Sequence, residues 1–525
     1  MLNEKKKSDS VNNAALAKRF GLSVVLDIMH YPFVVQKKQI IPYGFAKAKQ
    51  MLPIDEKEGV LVVAIGNPLD LAALEEIQSL TGKAVEELYC PKNELEEALE
   101  ECYRQNSDET KAFIRDLNKE SPSADQEKGV AVEAYDLLDN ASSSPVIQLL
   151  NMVLSEAITQ GVSDVHFEPL ESGLAIRYRV DGILQQKHTP PKEMQNQLIT
   201  RIKVMAKMDI AEHRLPQDGR IKLVMGGREV DFRVSSVPVI FGERLVLRIL
   251  DNSKIILGLG QLGLSKNLLK EYEHCLKQAQ GILLVTGPTG SGKTTTLYSS
   301  LGKISTKDIN VMTIEDPVEY KLANISQISV NRKIGVTFAK GLRSILRQDP
   351  DVILVGEIRD RETAEIAIQS SLTGHLVLST LHTNDAPSAL VRLLDMGIEP
   401  FLLASSIIGV LAQRLVRVIC TGCKKAYEPS GPDRAQMGNV HADKLFKGEG
   451  CSQCLHTGYA GRVGIYEFMK MTPAICQNVV SSPNLGLITE ISKKEGMVNL
   501  REYGMHLVRE GKTTLAEIIR VTNHG

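Results

Sequence analysis

The sequence predicts an α/β protein built around a largely parallel sheet, and three observations predict it. Apolar runs at 282–286, 311–314, 352–355 and 376–381 alternate with helix-compatible segments, the pattern of a parallel sheet flanked by helices. The first run leads into Gly-Pro-Thr-Gly-Ser-Gly-Lys-Thr at 287–294, a full G-x-x-x-x-G-K-[ST] loop followed by a helix-compatible stretch at 295–301. The residues just after the other runs are carboxylates and an imidazole, on the strand rim where such sheets hold ligands.

The loop is the most informative stretch. Its glycines let the backbone form a nest of N–H groups around phosphate, and the helix start adds its positive dipole end. Gly287, Pro288, Thr289, Gly290, Ser291, Gly292, Lys293, Thr294 and Thr295 are therefore the expected nucleotide-binding residues. Lys293 is placed to reach the β- and γ-phosphates, and the Thr294 hydroxyl to ligate Mg²⁺.

The later strands are expected to supply the remaining groups. Glu315, Asp316 and Glu319 follow the second run, Gly356, Glu357, Arg359 and Asp360 the third, and His382, Thr383 and Asn384 the fourth. ATP hydrolysis needs a held Mg²⁺ and an oriented water. Glu357 is the expected Mg²⁺ residue, Glu315 and Glu319 are candidates for positioning the water, and His382 is a candidate γ-phosphate sensor. Each carboxylate taken singly also reads as an ordinary cap or turn residue. His375 and His382 flank one strand and should stand roughly 20 Å apart at about 3.3 Å per residue, so only His382 is expected near phosphate.

At 525 residues the chain exceeds what one core holds, so several domains are expected. Residues 1–104 read as a small α/β docking or regulatory domain, with a buried strand at 59–65, a turn at 66–68 and a capped helix at 70–80. Residues 105–144 are polar and Ser/Pro-clustered, the composition of a flexible linker. A second domain at 145–255 opens with an amphipathic helix (145–160) and continues into alternating strands such as 174–179 and 229–234. It carries Arg177, Arg179, Arg214, Arg220, Arg233, Arg244 and Arg248. Singly these are ordinary surface residues, but a planar guanidinium suits phosphate, and a neighbouring subunit can insert one as a finger. The phosphate-loop domain spans 263–525.

Cys420, Cys423, Cys451 and Cys454 form C-x2-C-x27-C-x2-C, which suits a closed, structural Zn²⁺ site. A redox pair is the competing reading, but no thioredoxin-like helix start accompanies either C-x-x-C. A net charge of −1 and 5% aromatic residues argue against a nucleic-acid motor. The guanine-reading Asn-Lys-x-Asp pattern is absent. Glu315 and Glu357 argue against a scaffold that binds nucleotide without hydrolysing it. The longest nearly apolar stretch, 401–412, falls short of the ~20 residues a bilayer requires, so no transmembrane segment is expected. The polar N-terminus lacks a signal-peptide core, and a cytosolic protein is expected.

The combination resembles the type II/type IV secretion ATPase family, over about 140–525 and more loosely the N-terminal domain. The resemblance rests on 287–294 as Walker A, 313–319 as the aspartate box, 351–360 as an atypical Walker B and 373–385 as the histidine box, with 163–169 and 242–244 as second-domain signatures. It implies a RecA-like P-loop domain preceded by a PAS-like α+β domain, and a zinc-binding subdomain at about 415–465. It further implies a homo-hexamer with ATP between the second and third domains, Arg214, Arg233 and Arg248 completing the site. The N-terminal domain would dock on the cytoplasmic domain of an inner-membrane platform protein, recruiting a cytoplasmic motor peripherally to that membrane. The four cysteines resemble the zinc knob of the secretion and pilus-extension branch. Retraction motors lack that knob, which favours assembly over retraction; the expected role is pseudopilus assembly and type II protein export, with type IV pilus extension as the alternative. Lys18-Arg-Phe-Gly21 only partly matches the paired Arg-Leu-Gly pattern of cyclic di-GMP-binding members, so that ligand is not assigned.

Overall fold

The chain divides into two units, Met1–Lys254 and Ile255–Gly525. The computed structural model describes residues 144–525 except 226–227, 252–256, 438–441, 482 and 524–525. Before them it describes 21–103 except 26, 36–39, 42, 58 and 69–70, together with 17, 110, 114, 135 and 136. Lys18, Arg19 and Phe20 of the partial Arg-Leu-Gly match lie outside the described residues.

In the first unit, β1 (Met51–Lys57), β2 (Val60–Ile65) and β3 (Ala84–Tyr89) form a sheet with the apolar β2 in the centre. β2 runs antiparallel to β1 and parallel to β3, and helix Leu71–Thr81 makes the crossover that a parallel pair requires. The strand starts at Val60 rather than 59 because Gly59 turns the chain at φ 82°.

A second sheet has the order β4-β8-β9-β10-β5-β6-β7. Its strands are β4 (Tyr135–Asp136), β5 (Asp164–Leu170), β6 (Gly173–Val180), β7 (Ile183–His188), β8 (Gln217–Met225), β9 (Arg228–Val239) and β10 (Gly242–Asp251). Phe167, Tyr178, Phe232 and Leu247 bury one face in a common core with Leu150 and Val153 of helix Pro145–Thr159 and Leu198 of helix Gln195–Met205. Alternation leaves the opposite face polar. Two parts of the expected linker join this body: Ile114 is buried in its core, and β4 pairs with β8. Single apolar residues in a polar stretch escape a reading that averages composition; the rest of 105–144, apart from Thr110 and Ser144, lies outside the described residues.

In the second unit every apolar run named above is a strand. These are β11 (Gly281–Thr286), β12 (Val311–Glu315), β14 (Val352–Val355) and β15 (Leu376–Leu381); β13 (Ser326–Ser329) lies at one edge. All are parallel, and the four apolar strands are buried throughout, which is why they read as continuous apolar runs. The stretch 401–412 divides between helix Pro400–Ser406 and β16 (Ile407–Ile419), which runs parallel to β11. β17 (Lys424–Tyr427) and β18 (Leu445–Gly448) make a small antiparallel pair, and β19 (Tyr459–Lys470) closes the large sheet antiparallel to β16. The order is β13-β12-β14-β15-β11-β16-β19. Among the described residues no helix is long and apolar enough to cross a membrane.

Candidate nucleotide site and metal centre

β11 ends at Thr286, and helix Lys293–Ile304 begins seven residues later. Between them Gly287, Gly290 and Gly292 adopt φ values of 146°, 79° and 89°, which side chains rarely tolerate and which turn the loop back on itself. Ser291 is buried with a hydroxyl that has no partner. Lys293 Nζ donates to the carbonyls of Gly287 (2.7 Å) and Pro288 (3.1 Å), so the ammonium closes over the loop from within. Thr294 and Thr295 stand exposed in the first helical turn. A half-buried cation, a glycine nest and an unpartnered hydroxyl fit a polyphosphate.

Burial, opposed by the Glu357 carboxylate, pulls Lys293 down to about 8. The sign follows: the charged form is disfavoured in the free protein, and an incoming phosphate restores it. Nucleotide affinity should therefore fall as pH rises through about 8, and binding near that pH should take up protons. Titration calorimetry in two buffers of different ionisation enthalpy checks this; equal heats in both would contradict it.

Glu357 follows β14 and His382 follows β15, and the two meet: His382 Nε2 lies 3.3 Å from Glu357 Oε2. Arg359 donates to the other Glu357 oxygen at 2.7 Å. The pair lies near enough to Lys293 for Glu357 to raise its pKa. His375 is at the opposite end of β15, with Nδ1 2.8 Å from the Ser370 carbonyl oxygen.

The two glutamates of the β12 end separate. Glu315 is buried and accepts from the Tyr298 hydroxyl, from Thr313 Oγ1 (2.6 Å) and from Gln327 Nε2 (3.2 Å). Burial and the Glu315 charge hold the Tyr298 phenol far above its usual range, so it remains a donor. Glu319 is only partly buried, and its backbone N–H donates to the Tyr298 hydroxyl at 3.3 Å. Asp316 is 3.5 Å from Arg332. Asp360 is a helix cap, accepting from Thr363 N at 2.8 Å.

In the first unit, Arg220, Arg233, Arg248, Asp164 and Arg179 stand in one row across β8, β9, β10, β5 and β6. Like charges opposite one another repel. Asp164 offsets two of the four, meeting Arg248 at 3.0 Å and Arg179 at 3.5 Å. Arg214 is apart from this row, in the segment before β8, where Glu212 grips it at 2.9 and 3.1 Å.

The four cysteines come together because β16 runs into Cys420 and β19 starts after Cys454, with the β17–β18 pair between. Their sulfurs all lie within 4.8 Å of one another. Cys420–Cys451, Cys423–Cys454 and Cys451–Cys454 are 3.8, 3.8 and 3.7 Å apart. Four thiolates about 2.3 Å from a tetrahedral Zn²⁺ would stand roughly 3.8 Å from each other, whereas a disulfide needs about 2.05 Å. Backbone N–H groups donate at 3.2–3.3 Å, Gly450 to Cys423, and Cys451 and Gly458 to Cys454, whose thiol is lowered to about 6.

Residues 139–520 match the family described as Type II/IV secretion system protein. The chain belongs to that family. Residues 20–109 match a second description, the MshEN domain. A type II secretion system protein E of Pseudomonas aeruginosa is 46% identical over 487 residues, covering 92% of this chain and 96% of its own. A type IV pilus assembly ATPase, PilB of Myxococcus xanthus, is 39% identical over 510 residues, covering 96% of this chain and 89% of its own. The solved ATPase DotB of Yersinia pseudotuberculosis has the same fold, with a TM-score of 0.55 at 22% identity, covering 77% of this chain and all of that one. Within the type II/IV secretion family this chain is an ATPase, and ATP with Mg²⁺ is its substrate.

In this secretion ATPase the partners of the candidate residues carry no signal in the sequence pattern. Arg359 was visible beside Glu357 without a role. Tyr298 was an unremarkable helix residue, although its place five residues after Lys293 puts it on the phosphate-loop helix.

Proposed function

We propose that this protein hydrolyses MgATP to drive pseudopilus assembly and protein export in a type II secretion system. The observation that carries the site assignment is the meeting of Glu357 and His382 on the rim where Lys293 closes its loop. Residues 287–295 cradle the phosphates, Thr294 and Glu357 hold Mg²⁺ directly or through water, and His382 reads the γ-phosphate. Glu319, only partly buried where Glu315 is enclosed, orients the attacking water. Arg233 and Arg248 belong to a row with more guanidinium than carboxylate, which suits phosphate. Arg214 keeps its candidacy as a finger that must first leave Glu212.

The working form is a homo-hexamer in the cytoplasm, recruited to the inner membrane through the N-terminal domain by a platform protein. The four cysteines hold structural Zn²⁺, with no position left for chemistry. Pilus extension is the second reading, favoured by the match to PilB, though at lower identity than the match to the secretion protein.

Steady-state ATPase assays with and without the platform protein's cytoplasmic domain, alongside mass in solution, test the motor. Glu319→Gln should lower kcat about 10²-fold with MgADP affinity retained, the signature of a lost transition-state interaction. Glu315→Gln should lower the melting temperature more than it lowers kcat. The reverse ranking would move the water to Glu315, and undiminished turnover in Glu319→Gln would remove its role.

A further inference from the structure

The phosphate loop rests on a residue that belongs to none of its motifs. Gln413 lies in β16, directly after the Ala412–Thr286 pairing that ends the contact with β11. It is 2% exposed. Its Oε1 accepts from Thr296 Oγ1 at 2.7 Å, and Thr296, wholly buried, sits in the first turn of the helix that Lys293 opens. The rest of Gln413 presses on the loop. A Cβ at Gly287 would come within 2.4 Å of its carbonyl oxygen, and one at Gly292 within 2.8 Å of its Nε2. Two glycines of the loop thus leave room for this one side chain and its backbone.

Next to it, Arg414 donates to Val521 O at 2.6 Å and to Asn384 Oδ1 at 3.1 Å, two residues beyond His382. Successive residues of a strand point to opposite faces, so neighbouring positions of β16 serve the phosphate loop and the histidine-bearing loop.

We infer that Gln413 is a positioning residue: through Thr296 and the two glycines it holds the phosphate loop in the form that receives nucleotide. The hydrogen bond is neutral and buried, so removing one partner leaves the other unsatisfied in the interior. The inference rests on the reading of 287–295 as the phosphate cradle.

The test uses the full-length protein and measures MgADP affinity by calorimetry, KM and kcat for ATP, and the melting temperature. Gln413→Ala and Thr296→Val should each weaken MgADP binding and raise KM by about three- to tenfold, with a smaller change in kcat. The double variant should be little worse than either single one, because both remove the same bond. Thr296→Ser keeps the hydroxyl and should restore affinity. If Gln413→Ala does not fold, the Thr296→Val and Thr296→Ser pair decides the matter. Wild-type affinity in Thr296→Val, or Thr296→Ser as weak as Thr296→Val, would overturn the inference, as would a lower melting temperature with affinity unchanged. Lys293→Ala separates the two failures. If it loses nucleotide while the Thr296 variants do not, positioning by Gln413 fails; if it binds normally, the cradle reading fails first.

Discussion

Lys293→Ala abolishes ATP hydrolysis, with turnover expected to fall roughly 10³-fold or more. In the proposed cradle the ammonium is the charge presented to the β- and γ-phosphates, and electrostatic stabilisation of this kind dominates phosphoryl transfer. In the free protein that charge is partly desolvated, a cost that outweighs the help of the Glu357 carboxylate, and it is hydrogen-bonded to the carbonyls of its own loop. Removing it therefore should not lower the melting temperature of the nucleotide-free protein, and can raise it. Loss of function without loss of stability separates a group held ready for a ligand from one that supports the fold. Turnover assays paired with thermal melts read both quantities. Full turnover in Lys293→Ala would end the assignment of the loop.

Removing the proposed Zn²⁺ is expected to give the second large effect. Structural Zn²⁺ in small peptides contributes about 10–16 kcal/mol of apparent binding energy, much of it folding energy. Here the four cysteines gather at the base of a lobe in which the described residues form one sheet, the four-residue pair of β17 and β18. Chelation, or Cys454→Ser, should release one Zn²⁺ per chain, lower the first melting transition and open 424–450 to protease. The phosphate loop stands on β11, β16 and its own helix, so MgADP binding should survive in the chelated protein. Elemental analysis, limited proteolysis and calorimetry check the three parts. A metal-free protein with the lobe fully protected would refute a structural metal.

Much of this site is local in the sequence, and that is why it was legible. The phosphate loop carries its own turn-forming glycines, and each apolar run ends where its strand ends, so Lys293, Glu357 and His382 could be placed on one rim from spacing alone. The two short C-x-x-C turns likewise announced one cluster of four cysteines. Most partners were not legible, because they arise from pairings across the fold. Arg359 meets Glu357 from only two residues away, but His382 reaches it from the end of the next strand, 25 residues on. Tyr298 takes Glu315 away from solvent across two elements. Gln413 meets Thr296 over 117 residues of chain.

The sequence by itself determined the strands, the loop and the identity of the groups, since backbone conformation and apolar periodicity act within a few residues. Only the tertiary structure decided that Glu315 is enclosed by its own hydrogen bonds and which arginines share a row. Sheet order and register set those contacts, and residues far apart in the chain meet only once the sheet has assembled.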